Sequence, residues 1–157
     1  MVETNVKVYV VCTSALYLKF LATVIIQGGK TFRSGGRPPE DNKLNLAKKF
    51  KVKQNYGMTV DEKDEKILKA REMEHRWRRI IMNDLESIPL ALFVFAGGIL
   101  AGSNEKVHVA AMVLYTLSRY AHTVAYAKSM QPHRALFWFG GVLTTLVGVG
   151  NAVAAIL

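Results

Sequence analysis

The sequence predicts an all-α integral membrane protein, a four-helix bundle protomer with a long cytosolic first loop. Two observations carry that reading. Apolar residues collect in four runs, 6–29, 80–101, 107–127 and 135–157, each close to the roughly 20 residues that a helix needs to cross a bilayer. Charge collects instead in residues 30–79, where 15 Lys/Arg stand against 8 Asp/Glu, a balance of +7 within a total of +9.

Each run is justified in turn. Val6–Gly29 carries Lys7 near its end and Lys19 inside it, and Gly28-Gly29 reads as a C-cap signal. It lacks a basic n-region, so it is expected to be a retained helix rather than a cleaved leader. SGGRPPEDN follows, with two prolines that exclude regular helix. The basic stretch KLNLAKKFKVKQNYGM fits either a solvated loop or a segment lying on an anionic leaflet. T-V-D-E at 59–62 has the form of a capping box, with Thr59 as N-cap and Glu62 reaching back. The charged helix that it opens is supported by Glu62/Lys66 and Glu65/Lys69 at i,i+4, and runs on into the second span. Val107–Ala127 contains Arg119 and His122, whereas Ala135–Leu157 has no charge at all. Gly140, Gly141, Gly148 and Gly150 in the last run are expected to mark close helix packing. The expected helices are about 5–30, 60–101, 106–128 and 133–156, with a loop at about 31–59, all within one domain, 1–157.

With four spans, loops 30–79 and 128–134 lie on one side. Both are basic, so the positive-inside rule turns them to the cytosol. That topology accounts for the surplus charge. No nucleic acid partner is expected, since no base-stacking or groove-reading motif accompanies it. The single cysteine, Cys12, excludes an intrachain disulfide and reads as a small core residue.

The polar residues near the apolar runs carry the functional signal. Arg76, Arg79, Asn83 and Glu86 are spaced 3, 4 and 3 apart, one helical face. Arg119, His122 and Tyr126 form a second face, and Arg134 with Trp138 begins the last helix. Ionisable groups in a membrane usually face the bundle or a cavity, in pairs. A purely structural reading pairs Glu86 with Arg119 and gives Asp84, off that face, to a neighbouring arginine. The functional reading is a shared pocket. Arginine forks suit carboxylates and Glu86 suits an ammonium, which together describe a small zwitterionic peptide with surplus negative charge. A metal fits poorly, because no His/Glu set has ligand spacing.

RRIIMNDLESIP, RYAHTVAY, QPHRALFWFGG and the earlier PPED together resemble the membrane-associated proteins of eicosanoid and glutathione metabolism, the MAPEG family, and most closely its microsomal glutathione S-transferase type. The resemblance implies a homotrimer that binds glutathione as co-substrate between protomers near the cytosolic face. It implies glutathione contacts from Lys30, Arg78, Arg79, Asn83, Glu86, Arg119, His122, Tyr126, Arg134 and Trp138, to which the polar face adds Arg76. Arg134 would hold the thiolate, Tyr126 would donate a hydrogen bond, and Asp41 would orient Arg134. The family pattern departs at Ile80-Ile81, where relatives carry Ala-His, and at Lys30, which keeps the charge of an arginine without its fork. Ala135 lacks the hydroxyl of the prostaglandin synthase branch.

The implied activity is conjugation of glutathione to hydrophobic electrophiles, with peroxidase activity on lipid hydroperoxides. The alternatives are a prostaglandin E synthase-like isomerase and a non-catalytic membrane partner. The implied location is the endoplasmic reticulum membrane or the outer mitochondrial membrane, with the site facing the cytosol.

Overall fold

The computed structural model describes residues 2–58 and 64–157. Five α-helices follow one another: α1 Thr4–Ser34, α2 Asn45–Phe50, α3 Glu65–Leu100, α4 Glu105–Ala127 and α5 His133–Ile156, with a 3-10 turn at Pro39–Lys43 between the first two. No strand occurs among the described residues. Among the described residues, three helices are long and apolar enough to cross a membrane: α1, α3 and α5. The expected fourth span, α4, is not among them. Its 23 residues suffice in length, but His108, Thr116, Arg119 and His122 lie along its buried side and lower its apolar character.

The capping box at Thr59–Glu62 and the Glu62/Lys66 pair lie outside the described residues. Asp64 caps α3, its Oδ1 accepting from the Lys66 and Ile67 amides at 2.9 and 3.4 Å. Glu65 and Lys69 are 3.5 Å apart, as expected of an i,i+4 pair. Both are exposed, so the pair adds only a few tenths of a kcal/mol.

α1 does not stop at Gly28-Gly29. It continues to Ser34 and ends on Gly35, whose φ of +76° is left-handed. The Gly36 amide reaches back to the Thr31 carbonyl at 3.0 Å, the long hydrogen bond of a Schellman cap. A Cβ on Gly35 would stand 2.8 Å from the Lys53 carbonyl oxygen. Gly28 and Gly29 have neither feature, so they pass inside the helix.

The chain forms two compact units. One comprises the chain up to Phe20 together with Met82–Leu157, and the other Leu21–Ile81. In the first, Cys12 and Leu16 of α1, Ala91 and Phe95 of α3, and Ala111, Met112 and Tyr115 of α4 form a buried cluster. Cys12 is thus a core residue, as expected. Phe95 meets the His108 ring edge-on at 5.6 Å and Tyr115 at 5.9 Å. α5 packs closely through glycine: a Cβ on Gly148 would lie 3.0 Å from Phe95, and one on Gly141 would touch Arg119 and Tyr115. Gly150, expected to do the same, has no neighbour within 4 Å of its Cβ position.

In the second unit, the loop after α1 closes on itself. Asn42 Nδ2 donates to the Gln54 carbonyl at 2.9 Å, and the Gln54 amide donates to Asn42 Oδ1 at 2.8 Å. The fully buried Gln54 side chain donates to the Phe32 and Val52 carbonyls, both at 2.9 Å, and accepts from the Arg37 amide at 3.2 Å. Every polar atom of that buried amide is therefore engaged, as burial requires.

Candidate functional site

The expected site residues fall in both units. Asn83, Glu86, Arg119, His122, Tyr126, Arg134 and Trp138 belong to the first; Lys30, Asp41, Arg76, Arg78 and Arg79 belong to the second.

The first unit is organised around Asp84. Lys19 of α1 donates to both carboxylate oxygens at 2.6 Å, and Arg119 Nη2 of α4 donates to Oδ1 at 2.8 Å. All three are buried, with 1% of Asp84, 1% of Arg119 and 7% of Lys19 exposed. The Glu86–Arg119 pair of the purely structural reading does not form; Asp84 takes the arginine, as the same reading gave it a neighbouring one. Asp84 and Glu86 are two residues apart on α3, about 200° around the helix, so only one of them can point into the bundle. Lys19 was missed as a partner. Its signal was a lone lysine inside an apolar run, which in a membrane calls for a counter-charge. Two basic side chains therefore share one carboxylate.

One turn beyond Arg119, the His122 ring meets the edge of Tyr126 at 5.7 Å. The Arg134 guanidinium of α5 lies over the face of the same tyrosine, 4.5 Å from the ring centre, a cation–π contact. Arg134 enters no ion pair among the described residues. Arg119 Nε and His122 Nδ1 are buried without a hydrogen-bond partner.

On another side of α3, a cleft of about 310 Å³ is lined by Asn83, Glu86, Ser87, Trp138 and Thr145, with Leu90, Ala91, Gly141, Val142 and Leu146 around them. It brings together three expected site residues, with Ser87 and Thr145 as added hydroxyls. Ser87 also meets the Tyr115 hydroxyl at 3.0 Å. The volume is at the lower end of the roughly 300–1,000 Å³ typical of small-molecule sites. Glu86 has no ion pair among the described residues, so its charge is open to a cation.

In the second unit most expected residues are engaged locally. Arg76 lies 3.5 Å from Glu72. Arg78 lies 2.7 Å from Glu74, a buried carboxylate that also accepts from Ser34 Oγ at 2.6 Å. Asp41 accepts from Arg37 Nε at 2.7 Å. Arg79 is exposed and Lys30 half-buried, and neither enters an ion pair among the described residues.

No curated protein matches the chain. The sequence profile of the MAPEG family matches residues 8–154, from the first turns of α1 to the last of α5. The chain belongs to the MAPEG family.

Proposed function

We propose that this MAPEG member is a glutathione transferase of the microsomal type, conjugating glutathione to hydrophobic electrophiles and reducing lipid hydroperoxides. The observation that carries the proposal is Arg134, a guanidinium laid on the Tyr126 ring at 4.5 Å that enters no ion pair among the described residues.

Glutathione, an acidic tripeptide with one ammonium, supplies the nucleophilic sulfur. Glu86 and Asn83 in the cleft suit its ammonium and peptide groups. Trp138, 46% exposed, offers a flat apolar wall in the same cleft. Arg134 favours the ionised sulfur. A free thiol titrates near 8.5 and is only a few per cent ionised at pH 7, and each unit by which a cation lowers that value is worth about 1.4 kcal/mol. The positive end of the α5 dipole adds to its field. Tyr126 fixes the guanidinium through its ring, and His122 packs against the tyrosine.

The proposed assembly is a homotrimer of four-span protomers, with α4 crossing alongside α1, α3 and α5. Such a trimer lets Asp41 of one protomer approach Arg134 of another. The proposed site faces the cytosol, from the endoplasmic reticulum or the outer mitochondrial membrane. Ala135 lacks the hydroxyl of the prostaglandin synthase branch, which favours transfer over isomerisation.

The test is the ultraviolet thiolate band on adding glutathione to detergent-solubilised protein. Wild type should show the band, Arg134→Ala should lose it while retaining glutathione binding, and Tyr126→Phe should keep it because the ring remains. No glutathione binding in the wild type would move the chain to the non-catalytic members of the family. An unchanged band in Arg134→Ala would remove Arg134 from the chemistry.

A further inference from the structure

The loop closed by Asn42 and Gln54 is more than a connection. Residues 42–58 contain five lysines, Lys43, Lys48, Lys49, Lys51 and Lys53, and no aspartate or glutamate. All five are exposed, and none enters an ion pair among the described residues. A stretch of that composition would ordinarily be expected to stay extended and solvated. Here it folds on itself. The reciprocal Asn42–Gln54 hydrogen bonds close its base. Ala47 of α2 is buried, and Phe50 lies under the Arg33 guanidinium at 5.0 Å. The same fold turns Leu44 and Leu46 outward, 48% and 41% exposed.

A hydrogen-bonded loop that exposes two leucines among five exposed lysines has the chemistry of a membrane-interface element. Apolar side chains enter the acyl boundary while cations meet headgroup phosphates. The chain's own geometry supplies the surface. Leu44 lies ten residues beyond Ser34, the end of a helix apolar enough to span a bilayer. Even fully extended, that tether keeps the loop within about 35 Å of the helix end. A cleft of about 360 Å³ along the loop sets Arg33, Lys51, Lys53 and Lys66 against the one carboxylate of Asp64, which adds to the cationic surface.

We infer that the 43–53 loop docks on the anionic headgroups of the bilayer that holds the protein, with Leu44 and Leu46 inserted at the interface. This goes beyond the proposed transferase reaction and does not depend on it.

The test places a spin label at Leu46→Cys in a Cys12→Ala background, in the full chain reconstituted in bilayers. Its collisional accessibility to oxygen and to a water-soluble nickel complex is then read. In phosphatidylcholine mixed with phosphatidylserine, the label should gain oxygen contact and lose nickel contact. Pure phosphatidylcholine, high salt, or Lys43, Lys48, Lys49, Lys51 and Lys53 all changed to Gln should reverse that shift. The lipid and salt comparisons need no change to the lysines, so a folding defect in the five-fold variant cannot obscure the answer. A label open to nickel in both lipid mixtures overturns the inference. Equal shielding in neutral bilayers, anionic bilayers and detergent also overturns it, since another copy of the chain would then be the cover.

Discussion

Arg119 and Asp84 meet at 2.8 Å in the interior of the first unit, with 1% of each residue exposed. The contact joins α4 to α3, and Lys19 extends it to α1 at 2.6 Å. One carboxylate therefore fastens three helices, and its two cations would repel each other without it. Asp84→Asn keeps the shape and removes the charge. Removing one member of a buried ion pair costs about 3–5 kcal/mol, because the other is left uncompensated. The variant should lose its sharp size-exclusion peak in detergent at a temperature well below wild type. Lys19→Met should be milder, since it leaves a neutral Asp84–Arg119 pair. Equal losses for the two would show that the carboxylate is not the shared anchor.

Glu86 should behave in the opposite way. It is exposed and has no ion pair among the described residues, so Glu86→Gln should change thermal stability by less than about 0.5 kcal/mol. It lines the cleft with Asn83 and Trp138, and a hydrogen bond to a charged group contributes about 1.5–3 kcal/mol. Glutathione affinity measured by calorimetry should therefore fall by roughly ten-fold or more. A stability loss as large as that of Asp84→Asn, with affinity unchanged, would make Glu86 a fastener and remove it from the site.

The contrast between these two acids marks what can be read from spacing. The apolar runs identify α1, α3 and α5, because length and composition alone decide whether a helix can span. Periodicity likewise places Arg79, Asn83 and Glu86 on one face. It cannot say which face turns inward, since both faces of α3 carry an acid within one turn. That choice was made by Lys19 and Arg119, two cations on other helices and far away in sequence. The Asn42–Gln54 clasp is invisible for a related reason. Its two residues are twelve apart in an irregular loop and match no repeat.

Glycine supplies the last case, and its prediction separates two glycines that look alike in the sequence. Ending a helix takes a left-handed residue that lets the following amide reach back to the last carbonyls. Gly35 does this, with φ +76° and the Gly36 amide bound to Thr31 at 3.0 Å. Gly28, although followed by a second glycine, has helical neighbours on both sides and open space at its Cβ position. Gly35→Ala must place a methyl 2.8 Å from the Lys53 carbonyl oxygen and hold alanine in the left-handed region, itself a cost of about 1–2 kcal/mol. Gly28→Ala removes only the entropy penalty of a mid-helix glycine, a gain of up to about 1 kcal/mol. Thermal unfolding in detergent should therefore move down for Gly35→Ala and up for Gly28→Ala. The Lys53 carbonyl belongs to the lysine loop, so the same Gly35 variant should also loosen that loop and raise protease cleavage after Lys51 and Lys53. Cleavage at the wild-type rate, together with unchanged unfolding, would show that the loop does not lean on this turn.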